Sequence, residues 1–246
     1  MTKIISIINH KGGVGKTTTT ANLGAALANL DKKILLVDFD PQANLSDHLG
    51  IPFDELDQDI VDVIMDDQSI EPFFIKENLH IVAGNLELAA AEKEFSNSIK
   101  AYIKLKKALK SITESYDFVL IDCPPSLGFF TLNALNASTD VIIPVEPEGM
   151  AAGGLQTVRD AISEVQDVND DIKLLGVLIT KQRGLVVGKD LEESIRDNHQ
   201  PVFETVIRNY KHFPEASTLG LSIFDHAPSS NAALDYASLA KEVMNG

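Results

Sequence analysis

Residues 9–20 read NHKGGVGKTTTT, directly after the apolar run Ile4 to Ile8 and at the head of a segment with helical spacing, Thr18 to Leu30. Gly12, Gly13 and Gly15 permit a tight backbone path that turns several N–H groups toward one anion, since glycine adopts conformations closed to other residues. A helix starting at Thr17 aims the positive end of its dipole at the same point. Lys16 is then placed on the β and γ phosphates of a nucleotide and the Thr17 hydroxyl on magnesium, as in the strand–loop–helix phosphate motif. One departure stands out. The position where that motif has its first glycine is His10, and an additional lysine, Lys11, opens the loop.

Four more short apolar runs follow the first: Ile34 to Val37, Phe118 to Ile121, Val141 to Val145 and Leu174 to Ile179. They are rich in β-branched residues and barely alternate, which marks strands buried on both faces of a parallel sheet. Helical spacing fills the gaps at Ile99 to Ile112, Gly154 to Val165 and Leu191 to His199, and Asn231 to Val243 reads as a small-residue helix packed on the body. The alternation predicts a doubly wound α/β fold with a mostly parallel sheet and helices on both faces. No repeat or linker divides the chain, so residues 1–246 are expected to form one domain.

Three carboxylates end core strands. Asp38 and Asp40 lie two apart in LLVDFDPQ and so on one face at the carboxyl edge of the sheet, where ligands bind in open α/β folds. Asp122 ends YDFVLID and precedes Pro124 and Pro125. A carboxylate so placed holds Mg²⁺ beside phosphates, directly or through water. Each alone is equally readable as a helix cap or turn former; three beside a phosphate loop form a set.

Composition excludes several classes. Of 246 residues 44% are hydrophobic and 23% charged, enough to bury a full core, and the formal charge of −15 opposes unselective binding to polyanions. A nucleic-acid site must therefore be a local basic patch. No apolar run nears the roughly 18 residues of a membrane span, and Ile4 to Ile8 is too short for a signal peptide, so a cytoplasmic protein is expected. The single cysteine, Cys123, leaves no disulfide framework and reads as a small core residue. Acidic residues concentrate between Asp54 and Glu77, where Lys76 is the only base. That stretch reads as a solvated helical face or as a docking surface for a basic partner.

The blocks KGGVGKTTT, LLVDFDPQ and YDFVLIDCPPSLGFFTLNAL, with VIIPVEPEGMAAGGL, resemble the signature blocks of ParA/Soj partition ATPases, the P-loop NTPases with a deviant Walker A loop. The resemblance spans nearly the whole chain and weakens after about Thr180. It implies a Mg-dependent ATPase whose nucleotide is lined by Lys11, Gly12, Gly13, Val14, Gly15, Lys16, Thr17 and Thr18. Lys11, Lys16 and Asp40 are implied as catalytic, Asp40 acting on the attacking water, and Thr17, Asp38 and Asp122 as lying at the metal. Lys11 reaches across a two-fold interface in the family, making ATP the glue of a homodimer, and the loop after Asp122 senses the γ-phosphate.

Further implied are a ParB-like partner that stimulates hydrolysis, non-specific DNA binding by the ATP dimer, and a nucleoid-associated state when ATP is bound. The family's IPRN appears here as VIRN, with Ile207 in place of proline. Arg208 and Asn209 match, and Asn209 either neighbours the adenine or caps the next helix. The basic residues that typically precede the family's last helix are replaced by HAPSSNAALDY. Basic candidates for DNA are Lys181, Arg183, Lys189, Arg196, Arg208 and Lys211, which otherwise are separate surface charges. Two relatives in function are weighed. A MinD-like membrane cycler needs a basic amphipathic C-terminal helix, and ALDYASLAKEVMNG has one base, Lys241; an iron–sulfur reductase needs more ligands than Cys123. A cargo-positioning ATPase uses the same switch on a protein assembly.

Overall fold

All five β-branched runs are strands of one sheet in the computed structural model, which describes residues 2–95, 99–147, 151–183 and 186–246, without the side chains of residues 91, 95, 99, 151–153 and 186–189. The strands are β1 (Lys3–Ile7), β2 (Ile34–Asp38), β3 (Phe73–Lys76), β4 (Leu79–Val82), β5 (Phe118–Asp122), β6 (Asp140–Val145) and β7 (Lys173–Ile179). They run in the order β3-β4-β2-β5-β1-β6-β7. Every neighbouring pair is parallel except β3 and β4. Every residue of β2, β5 and β6 is buried, because helices cover both faces.

Among the described residues the helices are α1 (Lys16–Ala28), α2 (Asn44–His48), α3 (Ile60–Met65), α4 (Leu88–Phe95), α5 (Lys104–Lys110), α6 (Phe129–Ala137), α7 (Ala151–Gln166), α8 (Val186–Asn198), α9 (His212–Thr218), α10 (Ile223–His226) and α11 (Asn231–Asn245). Side chains of a strand point alternately to its two faces, and each strand divides accordingly. Leu35, Val37, Val119, Ile121, Val141 and Ile143 pack with α3, α5, α6 and α7. Ile34, Leu36, Ile5, Ile7, Leu120 and Ile142 pack with α1 and α11. Cys123 is fully buried in the first of these cores.

The structure corrects the sequence reading at one edge. Residues 54–77 are not one helical face: they hold a 3-10 turn at Phe53–Glu55, the short α3 and the edge strand β3. Asn78, in the left-handed region at φ 62, turns the chain from β3 into β4. Two four-residue strands at a sheet edge, one of them carrying Lys76 and the other His80, lack the unbroken apolar run by which central strands are read.

The order places β1 between β5 and β6, so the connections leaving β1 and its neighbours diverge above their carboxyl ends, where an open sheet forms its crevice. One wall of that crevice is pinned at Gly50 and Gly220. Both have positive φ, and a Cβ on Gly220 would stand 2.9 Å from the Cα of Gly50. Gly220→Ala therefore strains two backbones at once. It should cost roughly 2 kcal/mol, read as a lower urea midpoint at unchanged m-value.

Candidate functional site

The loop after β1 curls as its glycines allow, with Gly13 at φ 78 and Gly15 at φ 89. Asn9 anchors its start, its Nδ2 donating to the Pro144 carbonyl at 2.8 Å and its Oδ1 accepting from Lys11 N at 3.0 Å. Thr180, just past β7, anchors its middle by donating from Oγ1 to the Val14 carbonyl at 2.8 Å. Lys16 is only 7% exposed, and its Nζ donates to the Lys11 carbonyl at 3.3 Å. Burial pushes its ammonium pKa down, against the pull of Asp122, Cys123 and Asp40. Lys11 differs in kind: its side chain is half exposed, with Nζ 3.7 Å from Glu146.

Asp38 and Asp122 stand side by side in register at the ends of β2 and β5. Thr17 donates to Asp122 at 2.7 Å and Thr20 at 3.3 Å. Burial, and then the neighbouring Asp38, raise the Asp122 carboxyl to about 8. Burial likewise raises Asp38 to about 6, although Ser46 donates to it from both N and Oγ at 2.8 Å. Ser46 in turn accepts from Gly84 N. Two buried carboxyls whose charged forms are disfavoured, beside a threonine hydroxyl, are oxygen donors of the kind a hard divalent cation takes. Among the described residues no three His, Cys, Asp or Glu side chains converge as a closed metal site. A cation here would take its remaining ligands from phosphate or water. Asp40 is buried but reaches the crevice, its Oδ1 accepting from Gln42 N at 3.0 Å.

These groups enclose two adjoining cavities. The first, of ≈ 240 Å³, is lined by Gly12, Gly13, Gly15, Lys16, Thr17, Thr18, Asp40, Asn44, Pro125 and Lys181. The second, of ≈ 430 Å³, shares Gly15, Thr18 and Lys181 with it and is bounded by the apolar and aromatic Ile207, Tyr210, Phe213, Pro214 and Tyr236. Three loop glycines, a buried lysine and a carboxylate line the first, and apolar and aromatic side chains bound the second. Asn209 lines the second, and the residue at the N-cap of α9 is Lys211, so Asn209 is not that helix's cap. Ile207 donates its N–H to the Ile179 carbonyl at 2.9 Å, a bond that a proline there would lack.

The basic candidates for DNA do not share a face of their own. Lys181, Arg183 and Arg208 line the second cavity. Arg208 is paired with Asp235 at 2.6 Å and lies over the Tyr210 ring at 5.4 Å. Arg196 is engaged by Glu192 at 3.0 Å and by the Phe203 carbonyl. Lys211 is well exposed, 3.7 Å from Glu215, and the side chain of Lys189 lies outside the described residues. The sequence reading missed Ser46, Asn44, Thr180, Glu146 and the aromatic pair Tyr210 and Phe213. Only the last pair carried a signal, two aromatics within NYKHFP beside Asn209.

Fold and site together define a P-loop nucleotide-binding protein whose loop carries a second lysine. A family model described as an AAA domain matches residues 2–174. The chain is 41% identical over 252 residues to the sporulation initiation inhibitor protein Soj of Bacillus subtilis, covering 99% of this chain and 98% of that one. It is 36% identical to the chromosome partitioning protein ParA of Myxococcus xanthus, over 98% of this chain and 88% of that one. A solved structure named as a cobyrinic acid a,c-diamide synthase of Mycobacterium smegmatis, with bound ADP and magnesium, superposes with TM-score 0.86 at 33% identity, over 100% of this chain and 95% of that one. The chain belongs to the ParA/Soj family of partition ATPases.

His48, at the end of α2, lines the second cavity with its Nε2 unpartnered, and burial pushes its ring down to about 4. Its folded value lies below the ordinary 6.5, so between the two the unfolded chain binds the extra proton. Stability should therefore fall as pH drops from about 6.5 toward 4, with a slope of about 1.4 kcal/mol per unit from this group. His48→Gln should remove that component. A wild-type-to-variant difference in denaturant stability that stays constant across the window would assign the titration elsewhere.

Proposed function

We propose that this chain is an ATP-hydrolysing switch that dimerises around its nucleotide and, as a dimer, grips DNA for partition. The observation that carries the reading is the contrast between two lysines of one loop. Lys16 is sunk among the loop carbonyls where a β,γ-phosphate would lie, while Lys11 stands half exposed at the rim. A cation held outward can serve a second subunit's nucleotide, and cations supplied in trans contribute on the order of 10³ to 10⁵ in rate in related phosphoryl transfer.

In this reading the loop N–H groups and Lys16 cradle the phosphates of ATP, and Asn209, Tyr210 and Phe213 bound the base. Thr17 and Asp122, with Asp38 behind, would hold Mg²⁺, which supplies charge neutralisation on the phosphates. Asp40 orients the water that attacks the γ-phosphate, leaving ADP and phosphate. A ParB-like partner speeds that step, and the ADP form lets go of DNA in the cytoplasm. A membrane-cycling role is disfavoured because α11 spends its apolar face, Tyr236, Leu239 and Val243, on the core. No helix among the described residues is long and apolar enough to cross a membrane.

Light scattering with ATP, ADP and no nucleotide tests the switch. Wild type should dimerise with ATP alone, Asp40→Ala should form a long-lived ATP dimer without turnover, and Lys11→Ala should bind ATP yet stay monomeric. A stable Lys11→Ala dimer would contradict the role in trans. Lys16→Ala should lose nucleotide binding altogether. Fluorescence anisotropy of a labelled duplex tests the track: only the ATP dimer should bind, without sequence preference and with affinity falling steeply with salt, about −0.9 in log–log slope per phosphate neutralised. Lys211 is 79% exposed and 3.7 Å from Glu215, so charge reversal there should weaken binding to all sequences alike. An ATP dimer indifferent to DNA at low salt would favour a protein cargo.

A further inference from the structure

Glu146 follows β6 at the rim of the phosphate cavity, and its carboxylate holds two lysines at once. Lys181 Nζ is 2.7 Å from Oε1 and Lys11 Nζ is 3.7 Å from Oε2. The three side chains are unequal. Glu146 is only 14% exposed, whereas Lys181 and Lys11 are 44% and 50% exposed. The anion is therefore the fixed member of the cluster, and the cations, on long flexible stems, are the members able to leave.

The backbone beneath Lys181 is firmly set. Thr180 N and Oγ1 both donate to the Val145 carbonyl, at 2.8 and 3.1 Å, and the same hydroxyl reaches Val14 in the phosphate loop. Gln182 N donates to the Ile207 carbonyl and Asn209 N to the Gln182 carbonyl, tying the next residue to the base cavity. Lys181 itself sits at φ 53, in the left-handed region that non-glycine residues seldom occupy. The chain thus holds a strained lysine at the junction of the two cavities, among the described residues the only charged side chain lining both.

We propose that Lys181 is a nucleotide-contacting residue and that Glu146 is an internal stand-in for phosphate, occupying Lys181 and Lys11 until a polyphosphate competes them away. This rests on the reading of the crevice as a nucleotide site. The exchange is one of ion pairs: the lysines leave one carboxylate charge for a ligand with several, and half-exposed pairs are weak enough to be exchanged. Glu146 opposes binding twice over, by holding the cations and by adding its own negative charge beside the phosphates. It thereby lowers the site's affinity for an anionic ligand and makes release of product easier.

The test is a titration of the full-length chain with Mg-ADP and Mg-ATP, using isothermal calorimetry. Glu146→Gln should tighten both by about three- to tenfold, and Lys181→Met should weaken both by a similar factor. Lys181→Arg should keep most of the affinity, which a purely steric role for the lysine stem would not separate from Lys181→Met. Lys181→Met should cost more in the Glu146→Gln background than in wild type, since there the lysine is already released. Glu146→Gln affinities equal to or weaker than wild type would overturn the stand-in, and Lys181→Met affinities equal to wild type in both backgrounds would overturn the contact. Wild type that binds neither nucleotide would instead defeat the nucleotide reading itself, with Lys16→Ala as the control that separates the two failures.

Discussion

The 2.7 Å bond from the Thr17 hydroxyl to the Asp122 carboxyl joins the first turn of α1 to the end of β5. It brings the phosphate loop and the carboxyl edge of the sheet to one point. Asp122 reaches that point only because β5 is hydrogen-bonded to both β1 and β2, which places Ile7, Asp122 and Asp38 in one row. Thr17 and Thr20 fasten α1 to this row in the half of the crevice around the first cavity. The cost is electrostatic: two fully buried carboxyls, each raised well above the ordinary range by burial. A site that is unfavourable for its own anions when alone is one that a divalent cation stabilises strongly.

The half of the crevice around the second cavity is built by a different principle. Its walls come from segments far apart in the chain, α2, the stretch from Thr180 to Arg183, and Ile207 to Ser217, and they meet through backbone bonds between Gln182, Ile207 and Asn209. Thr180 belongs to both halves, since its hydroxyl holds Val14 while its neighbour Lys181 lines both cavities. The loop after β1 is thereby tied to the segment that follows β7. Gly50 and Gly220 close the far side, where α2 and α9 come together with no room for a side chain between them.

Acidic charge and basic charge are distributed unlike what either composition or resemblance alone suggests. The net charge of −15 is compatible with anion binding because the bases that matter are gathered at one crevice rather than spread over the surface. Three of the bases considered for DNA lie at that crevice, and Arg196 and Arg208 have carboxylates of their own. Charge counting along a chain does not reveal this, because an ion pair such as Arg208 with Asp235 links residues 27 apart, with α9 and α10 between them.

The amino-acid sequence by itself determined the central strands, the glycine-bearing loop after β1 and the carboxylates Asp38 and Asp122 at strand ends, while Asp40 lies two residues beyond β2. Each is a local pattern: an unbroken β-branched run is buried wherever it goes, and Gly-Gly-Val-Gly-Lys-Thr between strand and helix has one backbone path. It did not determine the edge strands β3 and β4, whose four-residue runs are too short and too polar to show a period. Nor did it determine Ser46 on Asp38, Thr180 on Val14, or the two lysines on Glu146. Ser46 meets Asp38 across the turn from β2 into α2, whereas Thr180 with Val14 and the lysines with Glu146 join residues that only the order of strands brings together. Parallel neighbours are separated in the chain by whole helices, so the pairing of side chains at their ends is set by the packing of the complete sheet and by nothing local.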